Sequence, residues 1–358
     1  MTPKLDAENI PISVQANPQP IKEKPRVRRA IDEEGDRVTA SSPHYLPIWD
    51  HSQKYEPLQP FEHIEHGKGA DPGFKDLLTE GSKLQHLTPT TGSEVTGVQL
   101  SKLSDAGKDQ LALLDLTDLP IQDALDFGGY FGRHHIHPTS GSPEGYPELH
   151  MVHRNGNSGD LTHYWPNGLP LGTTFLYALD VPQVGGDTAF VNQVEAYNRL
   201  SPLLKDRLHG LKAVHSGVEQ SEFSRKLGGV VRREPITSEH PIVRTHPATG
   251  QKALYVNSVF TRSIVGFKNE ESEALLNFLY NHISRGIDYQ ARVRWAPGTV
   301  VIWDNRVASH SAIIDWTTGE RRHLARITPR PSRAQTHEAR RIFHSTESNF
   351  QFPLKMEL

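Results

Sequence analysis

Two clusters of side chains in this sequence are suited to chemistry. The first begins at His310, which closes the run Thr299-Val300-Val301-Ile302-Trp303-Asp304-Asn305-Arg306-Val307-Ala308-Ser309-His310, and continues with Arg322 and Arg326, an R-x-x-x-R pair. An imidazole just past a rigid element is held where a metal can use it. Guanidinium forks on the next strand suit a carboxylate bound beside that metal. The second is His134-His135-Ile136-His137-Pro138. Alternation puts His135 and His137 on one face, so the three imidazoles cannot all converge.

The elements that must position these groups are mostly strands. Thr299 to Trp303 follows Pro297-Gly298 and is rich in β-branched residues, the pattern of a buried strand. Thr173 to Leu179 reads as another. A Gly185-Gly186 turn leads into a third at Thr188 to Val191. Pro89 to Leu100 reads as a hairpin or edge strand, and His240 to Asn257 as two short strands around Pro247-Ala248-Thr249-Gly250. Helices are expected from Ser104-Asp105 through Leu114, over Gln122 to Phe131, and from Ser201-Pro202 to Gly210. Glu270 to Ile283 reads as an amphipathic helix that buries Leu275, Phe278, Leu279 and Ile283 on a sheet. Many short strands with few helices predict a mainly β fold with helical insertions, a barrel or sandwich.

Composition narrows the field. The chain has 358 residues, a net charge of -3 and no cysteine, and its mean hydropathy is -0.55. Disulfides, thiolate zinc sites and a cysteine nucleophile are therefore excluded, and any metal must take His, Asp or Glu, which favours iron, manganese or N/O-ligated zinc. The charge balance gives no reason to expect nucleic acid or a membrane surface as partner. No run has the length of a membrane span, and Met1 to Pro20 lacks an apolar signal core, so a cytoplasmic protein is expected. A zinc hydrolase is disfavoured because no H-E-x-x-H is present. Residues 1–42, rich in proline and charge, read as a disordered leader, 43–330 as the domain, and 331–358 as a peripheral extension.

Four stretches carry a family likeness: FGRHHIHP at 131–138, GTTFLYALDVPQVGGDTAFVNQVEAYNRLSP at 172–202, HPIVRTHPATGQKALYVNSVFTRSIVGF at 240–267, and WDNRVASHSAIIDW with RRHLARIT between 303 and 328. Together they resemble the TauD/TfdA family of Fe(II)- and 2-oxoglutarate-dependent dioxygenases, in its fungal sulfonate or taurine dioxygenase-like branch. The resemblance implies a double-stranded β-helix, or jelly roll. It makes His310 the distal iron ligand, with Arg322 and Thr188 on the far carboxylate of 2-oxoglutarate. Arg326 and His135 then face the substrate's anionic group. Dioxygen is the co-substrate, a small sulfonate or carboxylate the expected substrate, and a homo-oligomer is left open.

The likeness departs at two places. The family's His-x-Asp pair before the GTTF stretch is missing, and Gly159-Asp160-Leu161-Thr162-His163-Tyr164-Trp165 stands there instead. His163 and Asp160 are the nearest donors, which makes His163, His310 and Asp160 the expected metal set. An apolar core strand expected after Leu111-Ala112-Leu113-Leu114 is also missing. Three accounts fit: a live enzyme whose third ligand is Asp160, another histidine such as His153, or an external anion; an inactive relative that binds an acidic metabolite without turnover; and a reading frame with mis-joined exons.

Overall fold

The computed structural model describes residues 27–30, 40–57, 65–71, 73–110, 121–154, 172–316 and 319–330. The centre is two antiparallel sheets. We label helix α1, Ile121–Tyr130, and then strands β1, His150–Arg154, β2, Thr173–Asp180, and β3, Thr188–Asn192. Helix α2 is Asn269–Arg285. After it come β4, Gln290–Val293, β5, Val300–Asp304, β6, Ala308–Ala312, and β7, Arg322–Ile327. One sheet has the order β5-β2-β7-β1 and the other β4-β3-β6. Neighbours in space are distant in sequence, the pairing of a jelly roll, and the expected mainly β architecture holds.

The period of two along each strand decides what lies between the sheets. Leu176 and Ala178 of β2, Phe190 of β3, Val301 and Trp303 of β5, and Leu324 of β7 share one buried cluster with Trp295. Residues of the opposite parity, Phe175, Val300, Ile302, Ala325 and Ile327, pack outward with Ala124, Leu125 and Phe127 of α1. Arg322 and Arg326 have the parity of Leu324, Thr188 that of Phe190, and Thr174 that of Leu176. His310 pairs with Phe190 across β3 and β6. Alternation therefore sends every one of these functional side chains into the space between the layers.

Several expectations are met locally. Ser201 accepts a hydrogen bond from the Leu204 amide at the start of the helix Pro202–Leu208, and Gly210 follows with a φ of 84°. The two short strands around Pro247 are Val243–Thr245 and Lys252–Leu254, paired antiparallel. The hairpin near Pro89 pairs Lys83–His86 with Ser93–Thr96. Three details differ from expectation. His310 is inside β6 rather than beyond a strand end, because β6 pairs with β3 through residue 312. In α2 the buried stripe is Leu276, Leu279 and Ile283, while Phe278 is exposed. Part of the expected disordered leader is instead a strand, since Val27–Arg29 pair with Ile48–Asp50. Residues 1–26 and 31–39 of the leader, the extension 331–358, the missing strand after Leu114, and Asp160 and His163 all lie outside the described residues. Among the described residues no helix is long and apolar enough to cross a membrane.

Candidate active site

The site is built on β7 and the strands facing it. Arg322 opens β7 and is almost fully buried, 4% exposed. Its Nε donates to the Gly186 carbonyl at 2.7 Å and a terminal nitrogen donates to the Thr188 hydroxyl at 3.1 Å. The Trp295 indole also donates to that hydroxyl, at 3.0 Å. Gly186 has a φ of 72°, and a Cβ there would stand 2.9 Å from Pro182 Cγ and 3.3 Å from Arg322 Cδ. The glycine pair is thus required both by the turn and by the arginine lying against it.

One helical-looking spacing further, Arg326 lies on the same face of β7. Its Nε donates to the Thr328 hydroxyl at 3.1 Å and a terminal nitrogen donates to the Thr174 hydroxyl at 3.4 Å. The guanidinium lies 5.5 Å from the Trp303 ring centroid. Neither arginine pairs with a carboxylate among the described residues. Burial lowers both side chains to about 10, yet both stay cationic at neutral pH. Two cations whose hydrogen bonds among the described residues go to neutral oxygens keep their charge available for an anion.

His310 lies against Trp303, ring centroids 4.7 Å apart, and stacks on Phe190 at 6.0 Å. Burial, reinforced by Arg326 and Arg322, pushes it down to about 3. A neutral ring whose Nδ1 is buried with no hydrogen-bond partner is in the state a metal ligand needs. Among the described residues no group of three His, Asp or Glu could hold a metal ion. His310 fits as one ligand, and the other expected donors, His163 and Asp160, are outside the described residues. His153, the other histidine considered, instead faces His323 at 5.1 Å.

The second histidine cluster forms a wall next to Arg326. His135 donates its amide to the Thr328 carbonyl at 2.8 Å. Its ring is 6.2 Å from His137, which is 4.2 Å from His150. His134 turns away and contacts the Leu125 carbonyl at 2.9 Å, so alternation divided the cluster as expected. Burial first, then Arg326 and Arg232, lowers His137 to about 3. Burial, His137 and Arg326 among others hold His135 and His150 well below the usual range. His137 Nδ1 accepts from the amides of Thr139 and Ser140 at 3.2 and 3.1 Å, which leaves its Nε2–H as a donor.

The structure thus brings His310, Arg322, Thr188 and Arg326 to one interlayer region, with His135 held beside it at Thr328. Sequence reasoning missed His150, Thr174, Trp303 and Thr328. His150 is found only through pairing, opposite Arg326 across β1 and β7. Thr174 was findable by parity with the β2 core residues.

The jelly-roll pairing of the two sheets, with Arg322 and Arg326 beside a neutral strand histidine, agrees with the class of dioxygenases that use an α-keto acid. The chain belongs to the taurine catabolism dioxygenase TauD, TfdA family, whose sequence profile matches residues 83–328. It is 40% identical, over 327 residues, to an alpha-ketoglutarate-dependent sulfonate dioxygenase of Saccharomyces cerevisiae, covering 83% of this chain and 79% of that one. It is also 40% identical to the alpha-ketoglutarate-dependent dioxygenase cnsM of Penicillium expansum, over 80% of this chain and 88% of that one. Among solved structures, a taurine dioxygenase from Burkholderia xenovorans superposes with a TM-score of 0.59 at 29% identity, covering 72% of this chain and 92% of the other. The yeast alignment spans 327 positions but only 83% of these 358 residues, so about 30 of its positions have no counterpart here.

Proposed function

We propose that this protein is an Fe(II)- and 2-oxoglutarate-dependent dioxygenase that oxidises a small anionic substrate, a sulfonate or carboxylate, and releases succinate and CO2. The observation that carries this reading is the pair Arg322, buried, and Arg326, partly buried, on one face of β7, with no carboxylate partner for either among the described residues. Arg322 and the Thr188 hydroxyl grip the far carboxylate of 2-oxoglutarate, with Trp295 fixing the hydroxyl. Arg326 and His135 take the anionic end of the substrate, and the His137 Nε2–H adds a neutral donor to that wall. His310 and His163, with Asp160 as carboxylate, would hold iron. Iron, when bound, supplies the activation of dioxygen. Desolvation strengthens every charge-assisted contact made by the two arginines. The similarity to the alpha-ketoglutarate-dependent sulfonate dioxygenase of Saccharomyces cerevisiae supports the substrate class. The catalytic domain is proposed to run over 43–330.

The test is anaerobic. Fe(II) and 2-oxoglutarate together are expected to give a weak visible charge-transfer band, and admitting oxygen with a sulfonate should release succinate. A chain that gives neither band nor succinate is not a dioxygenase.

A further inference from the structure

Asn305 is 2% exposed and every polar atom of its side chain is engaged. Its Nδ2 donates to the Gly172 carbonyl at 2.6 Å and to the Thr174 hydroxyl at 2.7 Å. Its Oδ1 accepts the Trp303 indole N–H at 2.9 Å. The orientation of the amide is fixed by chemistry: the indole only donates and the carbonyl only accepts. Aspartate cannot do the same job, since one carboxylate oxygen would face the Gly172 carbonyl.

The two arms of this amide end on the two halves of the site. Through Trp303 it reaches His310, whose ring is 4.7 Å from the indole. Through Thr174 it reaches Arg326. The Thr174 hydroxyl, having accepted from Asn305 and from Arg326, passes its own hydrogen to Thr328 at 3.4 Å. Thr328 in turn accepts the Arg326 Nε. Trp303 also lies beneath the Arg326 guanidinium. Arg322 is absent from this network; among the described residues it is held by Gly186 and Thr188.

We infer that Asn305 is a positioning residue that sets the Arg326 guanidinium relative to the His310 imidazole, and so fixes where the substrate's anionic group sits. The inference rests on the reading of Arg326 as the anion-binding group. A partly buried guanidinium with no carboxylate partner among the described residues is oriented by the neutral oxygens it donates to and the indole beneath it, so the residue that holds those groups controls its direction.

The experiment titrates the full chain calorimetrically with ethanesulfonate and, separately, with 2-oxoglutarate. Asn305→Ala and the isosteric Thr174→Val are each expected to weaken ethanesulfonate by about tenfold or more, the scale of losing an outer-sphere partner. Both should leave 2-oxoglutarate within about twofold, because Arg322 is held elsewhere. Thr174→Ser, which restores the hydroxyl, should recover the affinity. A merely structural role would move both ligands together or neither, and far-UV circular dichroism confirms that each variant is folded. If Arg326→Leu abolishes ethanesulfonate binding while Asn305→Ala and Thr174→Val leave it unchanged, the positioning claim is wrong and the anion site stands. If Arg326→Leu binds as the wild type does, or the wild type does not bind, the anion site itself is gone and the positioning claim with it.

Discussion

Arg306 and Arg322 are both buried arginines of the same sheet region, and their surroundings are opposite. Arg306 is chelated by two carboxylates. It holds Glu65 through two nitrogens at 2.5 and 3.0 Å, and Asp304 at distances of 2.6 to 2.9 Å. His246 closes the network on Asp304 at 2.9 Å. Although burial opposes both charges, Asp304 is held well below the carboxylate range by Arg306 and His246, and Arg306 is raised by its carboxylates. Arg322 has a carbonyl and a hydroxyl instead, and burial lowers it to about 10. A desolvated charge that is fully paired is architecture, and one that is left unpaired is a binding site.

The largest expected effect breaks the paired side. Arg306→Leu leaves Asp304 and Glu65 without their cation and is expected to cost about 3–5 kcal/mol in urea unfolding. Arg322→Leu and Arg326→Leu should cost nothing comparable, because removing an uncompensated cation relieves its desolvation. A destabilisation by Arg322→Leu as large as that by Arg306→Leu would erase the contrast.

Ligand binding shows the reverse order. Arg322→Leu is expected to weaken 2-oxoglutarate by about 10–100-fold, the scale of charge-assisted hydrogen bonds, and to abolish succinate release. Unchanged 2-oxoglutarate decarboxylation in that variant would remove the cosubstrate assignment. Gly186→Ala tests the same clamp more gently. A methyl group against Pro182 and Arg322, at a φ of 72°, should cost about 1–3 kcal/mol and loosen 2-oxoglutarate in the same titration.

The smallest effect is on pH. His137 and His215 are each lowered to about 3, burial being the main cause. In the unfolded chain they protonate near 6.5. Because the folded values are depressed, their contribution to stability is complete above about 6.5 and is lost as pH falls toward 3. Between pH 7 and 5.5 the expected loss is about 1 kcal/mol per histidine, read from urea midpoints. Arg326→Leu should make this fall slightly shallower, since Arg326 is the second cause at His137. A stability that is flat over that range contradicts the buried neutral histidines.

Much of this site was legible in the sequence. The R-x-x-x-R pair and His310 were singled out by residue type and spacing and Thr188 by the family resemblance, and the structure brings them to one region through strand parity. The division of His134 from His135 and His137 followed from the same rule. The expected burial of Phe278 failed for a related reason: helical spacing places it one position from the stripe, and only the packing of α2 showed that Leu276 takes the inner place. The wall of His137 and His150 was not legible as a unit, since it needs β1 to pair with β7 opposite Arg326.

The sequence by itself determined several of the strands and the family, because these depend on residue types and short periods. Only the tertiary structure decided which arginines are neutralised. Glu65 reaches Arg306 across 241 positions of chain, and no local pattern distinguishes that arginine from Arg322. Charge pairing is settled by what the folded sheets bring within hydrogen-bond range, and that information is carried by long-range packing rather than by neighbouring residues.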